Sequence, residues 1–241
     1  GLAWTGLVGA IVLLGLWEWR QLLSGRGWQP GRDAFLVGAG LALTALYGWI
    51  YSALRLPSLL LVAAAGPAYL ILRHPPSLGE WPRAVWTVGG LVWITAGLGH
   101  LAALREVPDG LLWVALALGI TWSTDTGAYF VGRSLGGRPL APRISPKKTV
   151  SGSLGGLIAG SLFSAVFASW ALAMPLGKAG VLGLVGAACA QAGDLAESAF
   201  KRAMGAKDSG RLLPGHGGVL DRFDSLMLVA PLVYYWQRFL F

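Results

Sequence analysis

Two carboxylates interrupt long apolar runs of the sequence. Asp125 stands within ITWSTDTGAYF, and Asp194 within QAGDLAESAFKR. A charged side chain at membrane depth costs a few kcal/mol or more, so it usually faces a cavity or a partner. Alternatively, Asp125 could lie near the membrane–water interface, where its side chain would cap a helix or reach out to water. Asp194 lies about 12 Å from Arg202 along a helix that rises roughly 1.5 Å per residue, and this depth favours a functional role.

A second acidic group lies in the polar segment LPGHGGVLDRFD, residues 213–224. A helix beginning near Leu220 would place Asp221 and Asp224 in its first turns, where the helix dipole favours one acid but does not explain both. Gly217 and Gly218 allow backbone amides to approach a ligand closely, and a helix N-terminus beside them suits phosphate. His216 alone is a weak signal, typical of a loop histidine.

Basic and hydroxyl residues accompany these carboxylates in the polar loops. Lysine and threonine in the segment ISPKKT can contact phosphate oxygens, although basic residues also mark cytoplasmic loops in general. Glu197 and Lys201 are four residues apart, so simple pairing on a helix surface is an alternative for them. The basic and hydroxyl residues of these loops include Ser145, Lys147, Lys148, Thr149, Lys201, Arg202, Lys207 and Arg222.

The elements that must position these residues are membrane helices. The chain has 241 residues, of which 55% are hydrophobic and 12% charged, and its mean hydropathy is +0.61. A bilayer-spanning helix needs about 20 apolar residues. The fold class predicted is therefore all-α, a polytopic transmembrane bundle of about eight helices. Their predicted ranges are 2–17, 34–54, 57–72, 84–104, 110–131, 153–176, 179–199 and 225–240.

Charge is distributed unequally among the connecting loops. The loops at 132–152 and 200–224 are rich in Lys and Arg, whereas the alternate loops are short and nearly neutral. The positive-inside rule places both basic loops in the cytoplasm, where they could form one polar cavity. The net charge of +8 then indicates affinity for anionic lipid rather than nucleic acid. The one cysteine, Cys189, excludes a disulfide within the chain.

Carboxylates and bases together indicate a particular chemistry. Several carboxylate oxygens can hold Mg²⁺, while Lys, Arg and glycine amides hold phosphates during an in-line displacement. Carboxylates without bases would favour a cation transporter, and a cation-coupled transporter remains an alternative. Bases without carboxylates would favour a lipid-binding surface. Both groups at one face of a membrane bundle indicate phosphoryl or nucleotidyl transfer on a lipid.

The order of these motifs resembles the phosphatidate cytidylyltransferase family. The resemblance is carried by SAFKR at 198–202, KDSG at 207–210 and LPGHGGVLDRFDS at 213–225, with DTGAY, SPKKT and GDLAES in the same order upstream. It is strong over residues 110–230. Residues 1–109 match as hydrophobic segments with WEW near the end of the first. We therefore predict N-terminal helices in 1–109 and a catalytic part in 110–241, within one membrane domain.

The resemblance implies that CTP and phosphatidic acid give CDP-diacylglycerol and pyrophosphate at an integral-membrane site facing the cytoplasm. It implies Mg²⁺, alone or with a second cation, held best by Asp194 and Asp221, with Asp224 and Asp125 ranked second. Ser145, Lys147, Lys148 and Thr149 would contact CTP or the lipid phosphate. A homodimer and one further hydrophobic segment upstream are also expected, and a related enzyme using CTP on another lipid phosphate is an alternative. The residues expected to line the phosphate site are Lys201, Arg202, Lys207 and His216.

Overall fold

The computed structural model describes residues 2–25, 27, 81–210 and 217–241, without the side chains of 81–84 and 88. The predicted segments 34–54 and 57–72, and His216, lie outside the described residues. By residue contacts the chain divides into two compact units. The first unit combines Gly1–Ala102 with Met204–Asp221, and the second combines Ala103–Ala203 with Arg222–Phe241. The predicted division after residue 109 concerns function and stays a prediction.

The first unit is built on helix α1 (Leu2–Gly25) and most of helix α2 (Trp81–Arg105). The indole N–H of Trp4 donates to the carbonyl of Leu101 at 2.9 Å, and that of Trp19 donates to the carbonyl of Trp86 at 3.1 Å. Buried indoles need such partners, because an unpaired N–H in an apolar interior is costly. The two tryptophans therefore join α1 to α2 along most of their length.

The second unit contains helix α3 (Gly110–Leu135), an antiparallel hairpin of β1 (Pro139–Ala141) and β2 (Ser145–Thr149), and helix α4 (Val150–Ala171). Helix α5 (Leu176–Ala203) packs against α4, and helix α7 (Leu226–Phe239) packs against α3 and α5. The short helix α6 (Leu220–Phe223) precedes α7. Helix α4 lies against both α3 and α5, so it forms the centre of this unit.

Helix α4 has two chemically distinct faces. Its buried face is made of small residues, and a Cβ added at Gly156 would lie 2.9 Å from the carbonyl oxygen of Thr124 on α3. Small residues let membrane helices approach closely and make polar contacts across the interface. Ser164 uses this approach to donate to the carbonyl of Ala179 on α5 at 2.7 Å. The opposite face exposes large apolar side chains, at Leu154, Ile158, Leu162, Val166 and Trp170.

Within the part of the chain that the structure describes, four helices are long and apolar enough to cross a membrane by length and composition: Leu2–Gly25, Val85–Arg105, Val150–Ala171 and Leu176–Ala203. The predicted helical membrane class is confirmed to this extent, and the total of about eight spans stays a prediction. Helix α7 has 14 residues and a length of about 21 Å at 1.5 Å per residue. It is shorter than the roughly 30 Å hydrocarbon core.

Several predicted boundaries were wrong. The first helix continues from the predicted end at 17 to Gly25, because Glu18 and Trp19 are buried inside the unit rather than placed at a solvated end. Helix α4 begins at Val150 instead of 153, because Thr149 is its N-cap and accepts from the Gly152 amide.

The all-α class needs one correction as well. The loop predicted at 132–152 contains the hairpin, and Pro146 is tolerated there because a two-stranded sheet consists of edge strands only.

Candidate active site

A cavity of about 460 Å³ opens within the second unit, between α3, the hairpin, the start of α4 and the middle of α5. Its volume is in the range of small-molecule binding sites, roughly 300–1,000 Å³. Charged and hydroxyl side chains alternate with small residues around it. The lining residues are Asp125, Ala128, Tyr129, Gly132, Arg133, Leu140, Ser145, Lys147, Lys148, Thr149, Gly152, Ser153, Gln191, Asp194 and Leu195.

Lys148 and Asp194 form an ion pair at this cavity. The hydroxyl of Ser198 lies 3.3 Å from the other carboxylate oxygen of Asp194 and donates to it. Burial lowers the pKa of Lys148, while the negative charges of Asp224 and Asp125 act in the opposite direction. The structure thus brings Asp125, Asp194 and Lys148, predicted from three separate motifs, to one place.

Asp224 is held close to Asp194 through the backbone of Gly193. A Cβ added at Gly193 would lie 2.7 Å from the carbonyl oxygen of Asp224, so only glycine allows this approach. The side chain of Asp224 accepts from the Ser225 amide at 2.5 Å. Burial raises the pKa of Asp224, and the Ser225 amide and the Lys201 ammonium partly oppose that shift. Two of the predicted metal ligands, Asp194 and Asp224, therefore lie on adjoining backbone segments.

Two predicted basic residues at the end of α5 have different surroundings. The ammonium of Lys201 pairs with Glu197 at 2.7 Å, so the helix pairing considered from the sequence is observed. The pair is buried rather than solvated, since Glu197 is only 1% exposed. Arg202 is exposed, and its Nε donates to the carbonyl of Ile144 at 3.3 Å, just before β2.

The segment SPKKT forms strand β2, and Ser145, Lys147, Lys148 and Thr149 all line the cavity. Thr149 also has a structural role, because its hydroxyl accepts from the Gly152 amide at 3.1 Å and caps α4. N-cap hydroxyls satisfy one of the amides that lack a partner at a helix start. Contacts of these four residues with substrate stay predictions.

Four polar cavity residues were not predicted as site residues. Arg133 donates to the Tyr129 hydroxyl at 2.6 Å, and Gln191 exchanges hydrogen bonds with Ser153, whose hydroxyl donates at 2.5 Å and whose carbonyl accepts at 3.1 Å. A signal for Gln191 was present in the sequence. It lies three residues before Asp194 in an apolar run, and residues at that spacing share a helix face.

Apart from Arg222, the remaining predicted residues near the LPGHGG segment belong to the first unit. One oxygen of Asp221, Oδ2, accepts from the Ser209 amide at 3.0 Å, the Ser209 hydroxyl at 3.0 Å and the Gly218 amide at 2.8 Å. Gly217 has a φ of 82°, which glycine adopts without strain. Lys207 is exposed in this unit, and Arg222 is exposed in the second. The predicted phosphate contacts of Gly217 and Gly218 stay predictions.

Comparison with known proteins identifies the family. A family model described as the cytidylyltransferase family matches residues 1–240. The chain belongs to the cytidylyltransferase family. Relatives in this family include the phosphatidate cytidylyltransferase of Brucella suis, 39% identical over 97% of this chain and 86% of the relative. That of Pseudomonas aeruginosa is 40% identical over 93% and 83%, and that of Haemophilus influenzae is 33% identical over 96% and 88%. The predicted family is confirmed.

The carboxylates of this family member suit magnesium by chemistry. Within residues 2–25, 27, 81–210 and 217–241, no group of three or more His, Cys, Asp or Glu side chains is arranged to hold a metal ion. Mg²⁺ is commonly held by only one or two carboxylates together with substrate phosphates. Asp194 and Asp224 supply two carboxylates on adjoining backbone segments, which is the donor chemistry that Mg²⁺ uses, and in this structure the cation beside Asp194 is Lys148.

Proposed function

We propose that the chain is a phosphatidate cytidylyltransferase, which transfers the cytidylyl group of CTP to phosphatidic acid. The observation that carries the proposal is Lys148 at the cavity, paired with Asp194 and influenced by Asp125 and Asp224. A site that mixes acids with bases suits a reaction between two polyanions. The family match over residues 1–240 and the names of the relatives support the same reaction.

The reaction is a direct displacement at phosphorus. An oxygen of the phosphatidate phosphate attacks the α-phosphorus of CTP, a new P–O–P bond forms, and the bond between the α-phosphorus and the bridging oxygen of pyrophosphate breaks. The attacking oxygen is already anionic, so no side chain needs to remove a proton. The work of the protein is to hold both substrates in line and to stabilise the charge that moves to the leaving group.

The basic and acidic residues of the cavity have different proposed roles. We propose that Lys147, Lys148 and Arg133 bind phosphate oxygens, since all three line the cavity. Asp194 keeps the Lys148 ammonium in place through the ion pair. Lys201, Arg202, Lys207, His216 and Arg222 are further proposed phosphate contacts, and Ser145 and Thr149 are proposed hydroxyl contacts.

Magnesium is proposed as the cofactor, alone or with a second cation. The proposed ligands are Asp194, Asp221 and Asp224, with Asp125 as a further candidate. When bound, Mg²⁺ would neutralise triphosphate charge and help the pyrophosphate to leave.

The membrane supplies the lipid substrate. The apolar helices indicate a membrane protein, and we propose that phosphatidate enters laterally between helices. The basic loops at 132–152 and 200–224 support a site that faces the cytoplasm. A homodimer stays a prediction.

The test uses the purified full chain in detergent with CTP labelled at the α-phosphate, phosphatidate and Mg²⁺. The expected result is labelled CDP-diacylglycerol and unlabelled pyrophosphate, with no labelled lipid when diacylglycerol replaces phosphatidate. Failure to label any lipid at any divalent cation concentration would overturn the proposal. Labelling of ether-lipid phosphates but not of phosphatidate would point to the related enzyme. Ion flux into sealed vesicles without CTP would instead favour the transporter.

A further inference from the structure

Glu18 on α1 is a buried carboxylate that the reaction described above does not use. It is 2% exposed, and both of its oxygens accept hydrogen bonds, from Ser209 and from the backbone of Val219 and Leu220. Oε1 accepts from the Val219 amide at 2.8 Å, and Oε2 accepts from the Leu220 amide at 2.9 Å and the Ser209 hydroxyl at 2.9 Å. A buried carboxylate is tolerated only when its charge is compensated in this way.

The backbone at Gly210 and Gly218 passes close to this side chain. A Cβ added at Gly210 would lie 2.7 Å from Glu18 Oε1, and one added at Gly218 would collide with the Ser209 hydroxyl and with both oxygens of Glu18. One turn earlier on α1, a Cβ at Gly15 would lie 3.0 Å from Leu220. Gly15 and Glu18 thus lie against Leu220 and against the backbone at Gly210 and Gly218, and a methyl group added at either of these last two glycines would collide with Glu18.

Ser209 connects Glu18 to Asp221. Its hydroxyl lies 2.9 Å from Glu18 Oε2 and 3.0 Å from Asp221 Oδ2, and its single proton can be donated to only one of them at a time. The amides of Ser209 and Gly218 also donate to Asp221 Oδ2. Glu18 therefore holds Ser209, Val219 and Leu220. Ser209 and Gly218, the neighbour of Val219, are the residues whose amides orient the Asp221 carboxylate.

We propose that Glu18 is a positioning residue for cytidylyl transfer: it fixes Asp221 through Ser209 and through the backbone at 218–220. This inference rests on the proposed function, in which Asp221 takes part in the site. It makes α1 part of the catalytic apparatus rather than only a membrane anchor. A merely structural helix cap would stabilise the fold but would not be connected to Asp221 by a shared hydroxyl.

The test compares Glu18→Gln and Ser209→Ala with the control Glu106→Gln, which removes an exposed carboxylate just after α2. Gln keeps the size of Glu18 but presents an NH₂ group to donors, so one amide or the Ser209 hydroxyl loses its partner. Ser209→Ala removes only the shared hydroxyl and leaves Glu18 bonded to the Val219 and Leu220 amides. Each purified variant is measured for kcat, for KM of CTP and of phosphatidate, and for Tm.

We expect kcat to fall about 10- to 100-fold in both variants, because small displacements of catalytic groups have effects of this size. KM for each substrate should change less than about twofold, the Tm of Ser209→Ala should fall by only about 2–4 °C because one buried hydroxyl is lost, and the control should be unaffected. If Glu18→Gln fails to fold, the kcat of Ser209→Ala decides. A wild-type kcat in Ser209→Ala, or activity lost only in proportion to the folded fraction, overturns the inference.

Tryptic cleavage after Lys207 tests this inference by a measurement that does not depend on the proposed function. Lys207 is exposed and lies two residues before Ser209, which Glu18 holds, so cleavage should be faster in Glu18→Gln than in the wild type. Faster cleavage with an unchanged kcat means that Glu18 holds the segment without serving catalysis, which overturns the positioning role alone. A wild-type protein that makes no CDP-lipid overturns the proposed function itself.

Discussion

Lys148 and Asp194 form an ion pair between strand β2 and helix α5. The contact joins two motifs that are far apart in the sequence, and it places an ammonium group where two further carboxylates, Asp125 and Asp224, also act on it. We expect a cation so surrounded to exchange its carboxylate partners for the phosphates of an incoming substrate.

Replacement of Lys148 by Met should therefore stop the reaction. The change removes the positive charge that balances Asp194, and loss of one charge-stabilising group commonly lowers kcat about 100-fold or more. We expect at least that loss of kcat in the labelled-CTP assay. Lys178→Met is the matched control, because Lys178 is an exposed lysine near the start of α5. Equal activity of the two variants would remove Lys148 from the site.

Gly193→Ala should disrupt the placement of Asp224. The new methyl group would lie 2.7 Å from the Asp224 carbonyl oxygen and 3.2 Å from the Cα of Ser225. Overpacking of this kind costs about 1–3 kcal/mol, so we expect a lower Tm together with a loss of turnover. Gly180→Ala on the same helix is the control, since its nearest neighbours would be 3.9 Å away. Both variants can be followed by thermal unfolding in detergent, and a Gly193 variant as stable and active as the control contradicts the close approach.

Asp221→Asn should abolish turnover while the protein still inserts and folds. The substitution keeps the shape of the side chain but removes its charge, and Asn can still accept from the Gly218 amide. We expect kcat below about 1% of the wild type, by analogy with other charge-stabilising groups, and an unchanged elution volume in gel filtration. Asp109→Asn serves as the control, because Asp109 makes no side-chain capping hydrogen bond. Retained activity in the Asp221 variant would exclude this carboxylate from metal binding.

The pair of Lys201 and Glu197 allows stability and catalysis to be measured separately. Breaking a buried ion pair on one side costs about 3–5 kcal/mol, whereas replacing both partners by apolar residues is often neutral. Lys201→Met should therefore lower Tm strongly, and the double variant Lys201→Met with Glu197→Leu should recover most of it. If Lys201 contacts phosphate, the double variant stays inactive despite its stability. A stable and active double variant would leave Lys201 with a structural role only.

Much of the cavity could be predicted from charged residues that stand within apolar stretches of the sequence. Asp125 and Asp194 were noticeable because each interrupts an apolar run, and the structure places both at the cavity. Lys148 was noticeable only as one of two adjacent lysines. The structure distinguishes the two, because Lys148 is half-buried and pairs with Asp194, whereas Lys147 is exposed.

Other relationships depend on long-range packing that no local pattern encodes. Glu18 was noticeable in the sequence only as the middle residue of WEW, and its hydrogen bond to Ser209 crosses 191 residues of chain. Gly193 was one glycine among 36, and its importance appears only when the Asp224 carbonyl is placed against it. Sequence patterns report burial and periodicity, whereas these contacts depend on how distant segments pack.

The junction between the hairpin and α4 couples the cavity to the bilayer. Strand β2 ends at Thr149 and α4 begins at Val150, with no residue between them. The Thr149 hydroxyl accepts a hydrogen bond from the Gly152 amide in the first turn of α4. Lys148 is therefore joined through Thr149 to a helix of 22 residues. The outer face of this helix carries Leu162 and Trp170. Since helices adjust their tilt to bilayer thickness, we expect a change in the thickness of the surrounding membrane to shift the Lys148 ammonium together with α4.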